Sequence, residues 1–255
     1  MSTPALAMRV VEANARGYRR VWKGTAVTAF LNPVLFLLAM GHGLGSMVQQ
    51  GVGSVTYIAF IAPGLLATTA MQTAAVEATW PIMAGIKWQK TYDGALATPV
   101  GTGDLVSGTL IWIAMRTAMA CLVFALVSGI MQAADLTRML LAVPAGILTG
   151  LAFAAPLMAF TAVAKNENRL SSIFRFAIVP MFLFSGTFFP VTQLPGGLQP
   201  IAYATPLWHG VDLVRSITLG VSSSTPAITH VVYLVALALV GWWVATKTFR
   251  KTLVV

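Results

Sequence analysis

Charged residues are scarce in this sequence. Asp, Glu, Lys and Arg together make up 9% of its 255 residues, whereas a soluble globular domain carries about 25%. Hydrophobic residues make up 57%, and the mean hydropathy is +0.81. Because a water-soluble core cannot bury so much apolar surface, the composition predicts an integral membrane protein whose solvent is the lipid bilayer.

Cysteine and acidic residues are also rare. The single cysteine, Cys121, excludes a disulfide within the chain, and its apolar neighbours favour a buried, inert thiol. The sequence has 16 Lys and Arg against 7 Asp and Glu, which gives a net charge of +9. These basic residues are too few and too localised to form a nucleic-acid surface, so no nucleic-acid partner is predicted.

Catalytic motifs are missing as well. A phosphate-binding loop requires Gly-x-x-x-x-Gly-Lys-Ser/Thr, and the nearest match, which ends at Lys90-Thr91, has Ala84 and Gln89 where the two glycines belong. The three histidines are scattered without the spacing of metal ligands. The sequence therefore predicts a chain that is not an enzyme by itself and that binds no cofactor or metal of its own.

Long charge-free runs are what the sequence has instead. Since a membrane span needs about 20 apolar residues, these runs and their breaks predict one all-α membrane domain over 1–255 with six spans, at about 25–47, 55–79, 105–130, 139–164, 172–189 and 228–246. The fifth is the least regular, because prolines interrupt the apolar run that follows it. A re-entrant pair is the alternative for that segment.

The distribution of basic residues predicts the orientation of the chain, since Lys and Arg are enriched in cytoplasmic connections. With both termini in the cytoplasm, only Arg138 and Arg215 face outward and Arg116 lies within a span. The other 13 lie inside: Arg9, Arg16, Arg19, Arg20, Lys23, Lys87, Lys90, Lys165, Arg169, Arg175, Lys247, Arg250 and Lys251. The sequence thus predicts a multi-pass protein of the plasma (cytoplasmic) membrane with cytoplasmic termini.

Three segments outside the spans have features of their own. Residues 8–23 place Met8, Val11, Ala15, Tyr18 and Trp22 on one helical stripe opposite basic side chains, which predicts an amphipathic helix in the cytoplasmic interface. The simpler interpretation is that this helix only anchors the chain by its positive charge on the cytoplasmic side. The more specific interpretation is that it surrounds part of the helix bundle as a structural collar and helps to dock a cytoplasmic partner.

The long cytoplasmic connection, 81–104, contains the second segment. Trp88, Tyr92, Ala95 and Leu96 fall on one face of a helix predicted between two prolines, and the polar residues beside them are Lys87, Lys90 and Asp93. Periodicity alone favours a helix that rests on the lipid headgroups. Contact with a soluble partner is the alternative.

The third segment is 190–227, which is predicted to lie outside. Thr205 suits a helix cap, Pro206 its first position and Gly220 its end. Asp212 and Arg215, three residues apart, are expected to pair weakly on that helix. Four prolines interrupt the apolar stretch that leads into it, which predicts a half-inserted re-entrant hairpin. The buried stripe of the helix is predicted to be Leu207, Val211, Val214 and Thr218.

Two ionisable residues lie within predicted spans. Arg116 is near the middle of span three, and Glu77 is near the cytoplasmic end of span two. An intramembrane charge is a hypothesis for a functional residue by default, but a structural salt bridge between these two is favoured here. So few intramembrane carboxylates argue against a proton-coupled carrier.

Four stretches together resemble a known family. They are NPVLFLLAMGHGLG at 32–45, the segment at 57–100 that begins YIAFIAPGLL, GILTGLAFAAPLMAF at 146–160, and the segment at 174–220 that contains SGTFFPVTQLPGG and TPLWHG. The chain resembles the permease subunits of the type-two ABC exporter family. The likeness is to the branch of nodulation lipo-oligosaccharide exporter permeases and daunorubicin-type drug exporter permeases.

The resemblance implies roles for the three segments. It implies six spans, an N-terminal interfacial helix (8–23), a cytoplasmic coupling helix (84–98) and an external re-entrant hairpin (190–220). The ATPase-coupling residues would then be Lys87, Trp88, Lys90, Tyr92 and Asp93. The residues of the external re-entrant motif would be Ser185, Gly186, Pro190, Pro195, Pro206 and Trp208.

The resemblance also implies partners and a function. Two ABC ATPase subunits would bind ATP and Mg, and a second permease subunit, identical or not, would pair with this one. The expected function is outward transport of an amphiphile such as a glycolipid, a lipo-oligosaccharide or a lipophilic drug. A secondary transporter or channel and a non-transporting membrane scaffold are the alternatives.

Overall fold

A computed structural model describes residues 4–44, 55–220 and 225–254 of the chain, and no β-strand occurs within those ranges. The α-helices are Pro4–Tyr18, Trp22–Leu37, Tyr57–Glu77, Trp80–Met83, Thr91–Leu96, Thr102–Ile130, Leu136–Leu141, Val143–Val163, Glu167–Ile173, Val179–Phe184, Gln199–Tyr203, Pro206–Leu219 and Ala227–Leu253. Leu38–Leu44, Ala84–Trp88 and Phe174–Ile178 are π-helical, and Val191–Gln193 is a 3₁₀ turn. The prediction of an all-α protein is confirmed over these ranges.

Five continuous helical segments of the described residues are long and apolar enough to cross a membrane. We call them span one (Trp22–Met40), span two (Tyr57–Trp88), span three (Thr102–Ile130), span four (Leu136–Val163) and span six (Ala227–Leu253). They overlap five of the six predicted spans. The end of the predicted first span, 45–47, lies outside the described residues.

The predicted span at 172–189 corresponds to a helical segment that lies five residues earlier in the sequence, Glu167–Phe184, which we call segment five. It is not among the five candidate spans. The charged side chains of Glu167, Arg169 and Arg175 lower its hydropathy, and the helix ends at Phe184 before the predicted boundary. A count of six spans therefore stays a prediction.

The N-terminal amphipathic helix is present with different bounds. It runs from Pro4 to Tyr18, and Trp22 belongs to the first turn of span one. Met8 is 53% exposed, whereas Ala7, Val10 and Val11 are buried. The helix packs on span three near Ala7 and Val10, and its position in the cytoplasmic interface stays a prediction.

The predicted coupling helix at 84–98 is divided in two. Ala84–Trp88 continues span two as a π-helical turn, and a separate short helix, Thr91–Leu96, follows it. Between them Lys90 adopts a left-handed conformation with φ 53°, which breaks the backbone hydrogen-bond ladder of a single helix. Trp88 and Tyr92 consequently lie on different helices rather than on one face.

Spans two, three and four form the centre of the bundle, and close packing there depends on small residues. A Cβ atom added to Gly146 would approach Leu66 Cδ2 to 2.8 Å, and one added to Gly150 would approach Thr117 Cγ2 to 2.8 Å. Spans one and six lie at the periphery, since only 12% and 17% of their most apolar windows are buried within the chain.

Candidate functional site

The candidate residues divide between the two ends of the bundle. The C-terminal end of span six contacts the helix Thr91–Leu96, where the ring centroids of Phe249 and Tyr92 lie 6.0 Å apart. We call this the terminal end. The helix Pro206–Leu219, which we call the hairpin helix, meets the start of span four through a hydrogen bond from Arg138 Nη1 to the Thr218 carbonyl oxygen at 3.4 Å. That is the hairpin end.

A buried ion pair joins spans two and three. Arg116 Nε donates to Glu77 Oε1 at 3.0 Å, and the two side chains are 10% and 17% exposed. The pairing that the sequence favours is therefore present. Span two continues past Glu77 to Trp88, so Glu77 lies inside this candidate span rather than near its end as the sequence predicted.

The N-terminal helix contributes to the same cluster. The Arg116 guanidinium lies over the Tyr18 ring at 4.1 Å from its centroid, and Tyr18 meets the Trp112 ring edge-on at 5.8 Å. Further along, a Cβ added to Gly108 of span three would lie 2.5 Å from the Ala7 carbonyl oxygen. Only glycine permits this approach, which seats the N-terminal helix directly on span three.

The predicted coupling residues do not share one environment. Trp88 is 54% exposed. Lys87 Nζ donates to the Lys165 carbonyl oxygen at 2.6 Å, which ties the end of span two to the connection between span four and segment five. Lys90 and Asp93 form an exposed pair at 3.6 Å, a contact that contributes little stability.

Tyr92 packs inside the protein rather than facing outward. Its ring contacts the buried Phe249 of span six, and it lies within 3.2 Å of the position that a Cβ on Gly85 would take. Burial raises the pKa of Tyr92 to about 12, and a side-chain hydrogen bond with Thr109 partly opposes that rise. Tyr92 therefore holds the short helix Thr91–Leu96 against spans three and six.

The stretch after segment five makes a tight turn into the bundle. Gly186 has φ +85°, a conformation that side chains rarely adopt. Thr187 Oγ1 lies 3.2 Å from Thr68 Oγ1 of span two, and a Cβ on Gly64 would lie 3.0 Å from the Thr187 Cα. Ser185 is fully buried beside this turn. The predicted motif residues Ser185 and Gly186 thus lie in a turn that packs on span two.

Arg215 of the hairpin helix holds that turn in place. Its Nη2 donates to the Gly186 carbonyl oxygen at 2.8 Å, and its guanidinium lies 4.0 Å from the centroid of the Phe60 ring. Burial lowers the pKa of Arg215 to about 10, and the charge of Asp212 opposes the shift. Asp212 therefore interacts with Arg215 through its charge, while the hydrogen bond and ring contact of the guanidinium are made with the Gly186 turn and span two.

The remaining motif residues shape the hairpin helix and the chain that leads to it. Pro190 and Pro195 flank the turn Val191–Gln193, and Pro206 occupies the first position of the hairpin helix. The predicted cap is confirmed, since Thr205 Oγ1 accepts from the Trp208 backbone N–H at 3.3 Å. The predicted buried stripe is also confirmed, at Leu207, Val211, Val214 and Thr218.

Sequence reasoning missed a polar cluster at this end. His209 Nδ1 and His230 Nδ1 are 2.8 Å apart, and His230 Nε2 is 3.0 Å from Asp212 Oδ2. The three-residue spacing of His209 and Asp212 on one helix was a signal for two of the three residues in the cluster. His230 comes from span six, and only the tertiary fold brings it there. Among the described residues, no group of three or more His, Cys, Asp or Glu is arranged to hold a metal.

An open groove of about 440 Å³ lies between the end of span four and segment five. Its walls are mainly apolar, with one arginine and one serine: Phe160, Arg169, Ser172, Ile173, Phe176 and Ala177. Phe176 is 75% exposed. An apolar groove beside a guanidinium can receive an acyl chain and an anionic group together.

Comparison with known proteins places residues 7–219 in the family described as ABC-2 type transporter. Nodulation protein J of Rhizobium meliloti (strain 1021) is 35% identical over 236 residues, which cover 91% of this chain and 89% of that protein. Nodulation protein J of Bradyrhizobium diazoefficiens is 31% identical over 255 residues, covering 96% and 97%. The inner membrane transport permease YadH of Escherichia coli (strain K12) is 23% identical over 229 residues, covering 88% of each.

Proposed function

Because this chain belongs to the ABC-2 type transporter family, we propose that it is the permease subunit of an ATP-driven exporter, energised by a separate ATPase. One observation carries the proposal: the family match covers 7–219, and five helices suited to a membrane lie in the same chain. It is a multi-pass membrane protein, and the members of its family are membrane transport subunits rather than enzymes.

The terminal end is the surface that we assign to the ATPase. The exposed Trp88 supplies an aromatic side chain that a cleft on a partner can enclose. The bond from Lys87 to the Lys165 carbonyl supports a role in coupling, since movement at this surface would reach spans two and four together. Two ATPase subunits, each binding ATP and Mg, are the partners proposed here.

A second permease subunit is proposed to cover part of the periphery. Spans one and six bury little of their apolar surface within the chain, so lipid or another protein must cover the rest. Pairing of two permeases would place a transport path between them.

The proposed cargo is an amphiphile, namely a glycolipid, a lipo-oligosaccharide or a lipophilic drug. The groove beside Arg169 supports this class, because it offers an apolar wall and a cation to the same molecule. Two of the similar proteins are named Nodulation protein J and one is named a transport permease.

We also propose that the chain has six spans, with segment five as the fifth, and that both termini are in the cytoplasm of a cell whose plasma membrane it occupies. The 13 basic residues on that side support this orientation. The hairpin helix would then lie at the external end, where it would form part of the re-entrant hairpin.

The two alternative functions predict different results. A secondary transporter or channel would move its cargo after ATP depletion and would follow an ion gradient. A scaffold would hold the ATPase without any cargo-dependent hydrolysis. The small number of intramembrane carboxylates argues against the first alternative. The charge of Glu77 is balanced by Arg116 in a buried ion pair, so this carboxylate is already engaged within the protein.

The test is reconstitution of the chain with its ATPase in vesicles, followed by measurement of ATP hydrolysis and of the outward movement of a fluorescent amphiphile. We expect ATP-dependent transport, together with hydrolysis that the amphiphile stimulates. Transport that continues without ATP, or an ATPase that never binds the chain, would refute the proposal.

A further inference from the structure

A buried polar chain joins the hairpin helix to span six, and the proposed function makes no use of it. It consists of Asp212 and His209 on the hairpin helix and His230 on span six. His230 is 1% exposed and His209 is 8% exposed. Tyr233 of span six stacks on His209 with ring centroids 4.0 Å apart, and Trp208 meets both imidazoles edge-on.

The distances fix how many protons this chain can hold. Because the two Nδ1 atoms are 2.8 Å apart, one of them must donate and the other must accept. The Asp212 carboxylate lies 3.0 Å from His230 Nε2 without hydrogen-bond geometry, and its negative charge favours a proton on that nitrogen. His230 Nδ1 is then the acceptor and His209 Nδ1 is the donor.

Additional protons disturb this arrangement. A proton on His209 Nε2 places a charge on a ring enclosed by Trp208 and Tyr233. That charge weakens the contact between the hairpin helix and span six, whereas water solvates a charged imidazole once the two separate.

We propose that His209, His230 and Asp212 form a proton-binding site whose occupancy sets whether the hairpin helix stays docked on span six. The ligand is the proton itself, taken up from solution at the hairpin end. The site is independent of the proposed function, although any effect of pH on transport would rest on that function.

The groups around the site determine the direction of the response. Burial and the neighbouring His230 together lower the pKa of His209 to about 4, and the charge of Asp212 partly opposes that shift. Arg215 is the other charged group on the hairpin helix. Two tyrosines also contact this helix: Tyr233 of span six stacks on His209, and Tyr203 of the preceding helix contacts Trp208. Arg138 of span four donates a hydrogen bond to the Thr218 carbonyl oxygen at the C-terminal end of the hairpin helix.

The two other spans that pack on the hairpin helix add no charge near the site. Span two has no Asp, Glu, Lys, Arg or His from Tyr57 to Val76, and Met139–Ala164, which includes most of span four, has none. The response to acid therefore originates in the His209–His230–Asp212 cluster.

The sign follows from linkage. The docked state has a His209 pKa below the ordinary value of 6.5, so it binds fewer protons than the undocked state and is favoured at neutral pH. Docking weakens as the pH falls below 6.5, and the loss is complete near 4. For a shift of this size, acidification to pH 5.5 moves the equilibrium about tenfold toward the undocked state.

The experiment measures solvent access to the buried face of the hairpin helix. The full-length chain is purified in lipid nanodiscs with its ATPase, with the substitutions Cys121→Ala and Val211→Cys, since Val211 is fully buried in the docked state. Thiol labelling is measured from pH 7.5 to pH 5.5. Each rate is divided by that of an otherwise identical protein with Gln193→Cys, which corrects for thiol ionisation at an exposed position.

We expect the normalised rate to rise about tenfold on acidification and to stay flat when His209→Phe is added, because phenylalanine keeps the stack on Tyr233 and cannot titrate. Asp212→Asn should leave the acid response at about tenfold, since the docked pKa of His209 already lies well below 5.5 and a further fall adds almost nothing over this pH range. An equal rise in the His209→Phe protein, no rise at all, or a flat response in the Asp212→Asn protein would overturn the assignment.

A second measurement avoids the Val211→Cys substitution, which could itself disturb the packing of the hairpin helix. Hydrogen exchange over 206–219 is followed in the unmodified protein at the same two pH values and corrected for intrinsic exchange rates. Faster corrected exchange at pH 5.5 that is absent in the His209→Phe protein supports the site. The same acceleration in both proteins excludes it.

Discussion

Individual polar side chains connect parts of this protein that are distant along the sequence. Arg116 joins spans two and three, and Arg215 joins the hairpin helix to the turn at Gly186. A buried charge or donor costs several kcal/mol unless it is paired. Because each such group finds its partner on another element, it favours one arrangement of the helices over others of similar apolar packing.

Removal of Arg116 should destabilise the protein strongly. Arg116→Ala leaves Glu77 buried without its partner and removes the contact with Tyr18, so we expect a loss of about 3–5 kcal/mol. The measurement is thermal unfolding of the purified chain in nanodiscs, with transport as a second readout. Arg138→Ala is the matched control, since Arg138 is exposed and its bond to Thr218 is long.

A double variant separates pairing from packing. Glu77→Gln with Arg116→Met removes both charges and should recover most of the loss. If Arg116→Ala and Arg138→Ala have the same unfolding temperature and transport as the parent, Arg116 has no structural or functional importance.

Gly210 should also be sensitive to substitution. A Cβ at this position would lie 2.4 Å from Thr149 Oγ1 of span four, so Gly210→Ala should cost about 1–3 kcal/mol through overpacking. Gly94→Ala is the control, because nothing lies within 4 Å of its Cβ position. Adding Thr149→Ala to Gly210→Ala should restore much of the unfolding temperature, and failure of that rescue would place the strain elsewhere.

At the scale of elements, the segment proposed to couple with the ATPase has two distinct parts. Lys90, with its left-handed backbone, separates the end of span two from the short helix Thr91–Leu96. Trp88 on the first part is exposed, and Tyr92 on the second packs against Phe249. The first part is thus available to a partner, and the second attaches the segment to span six.

Alanine at these two positions should therefore give different defects. Trp88→Ala should keep the unfolding temperature of the chain but reduce co-purification of the ATPase and amphiphile-stimulated hydrolysis by about tenfold or more, as expected for an aromatic hot spot. Tyr92→Ala should lower the unfolding temperature, because it removes the contact with Phe249. Both are measured on the same preparations in lipid.

Tyr92→Phe is the matched control for the second effect, since it keeps the ring and should keep the stability. Full retention of the ATPase in the Trp88→Ala protein would remove the coupling role from this surface. It would leave the interpretation in which the segment rests on the lipid headgroups.

For the whole molecule, the structure separates a terminal end from a hairpin end. Gln89 is exposed beside the coupling segment, whereas Gln132 and Gln193 are exposed in connections toward the hairpin end. The predicted bias of basic residues assigns the terminal end to the cytoplasm. The two ends should therefore differ in their accessibility from outside an intact cell.

Single cysteines test this orientation. In a Cys121→Ala background, Gln132→Cys and Gln193→Cys should react with an impermeant thiol reagent applied to intact cells, and Gln89→Cys should react only after the membrane is opened. Labelling of position 89 in intact cells would contradict the proposed topology, as would protection of both external positions.

The sequence by itself determined the class of protein and most of its helices. Scarcity of charge and runs of apolar residues predict membrane helices because a backbone in lipid must satisfy its own hydrogen bonds. The cap at Thr205, the end at Gly220 and the buried stripe from Leu207 to Thr218 were also predictable, since these signals are local. The family resemblance was also readable from the sequence, in four stretches between 32 and 220, and the family match over 7–219 confirms it.

Tertiary structure decided how those helices meet. Packing between distant segments decides the proximity of His209 and His230, the position of Arg215 against Gly186, and the burial of Ala7 and Val10. Periodicity assigns a residue to a face of a helix, but it does not say which element covers that face. That choice depends on close approaches such as Gly108 to the N-terminal helix, which only the folded chain defines.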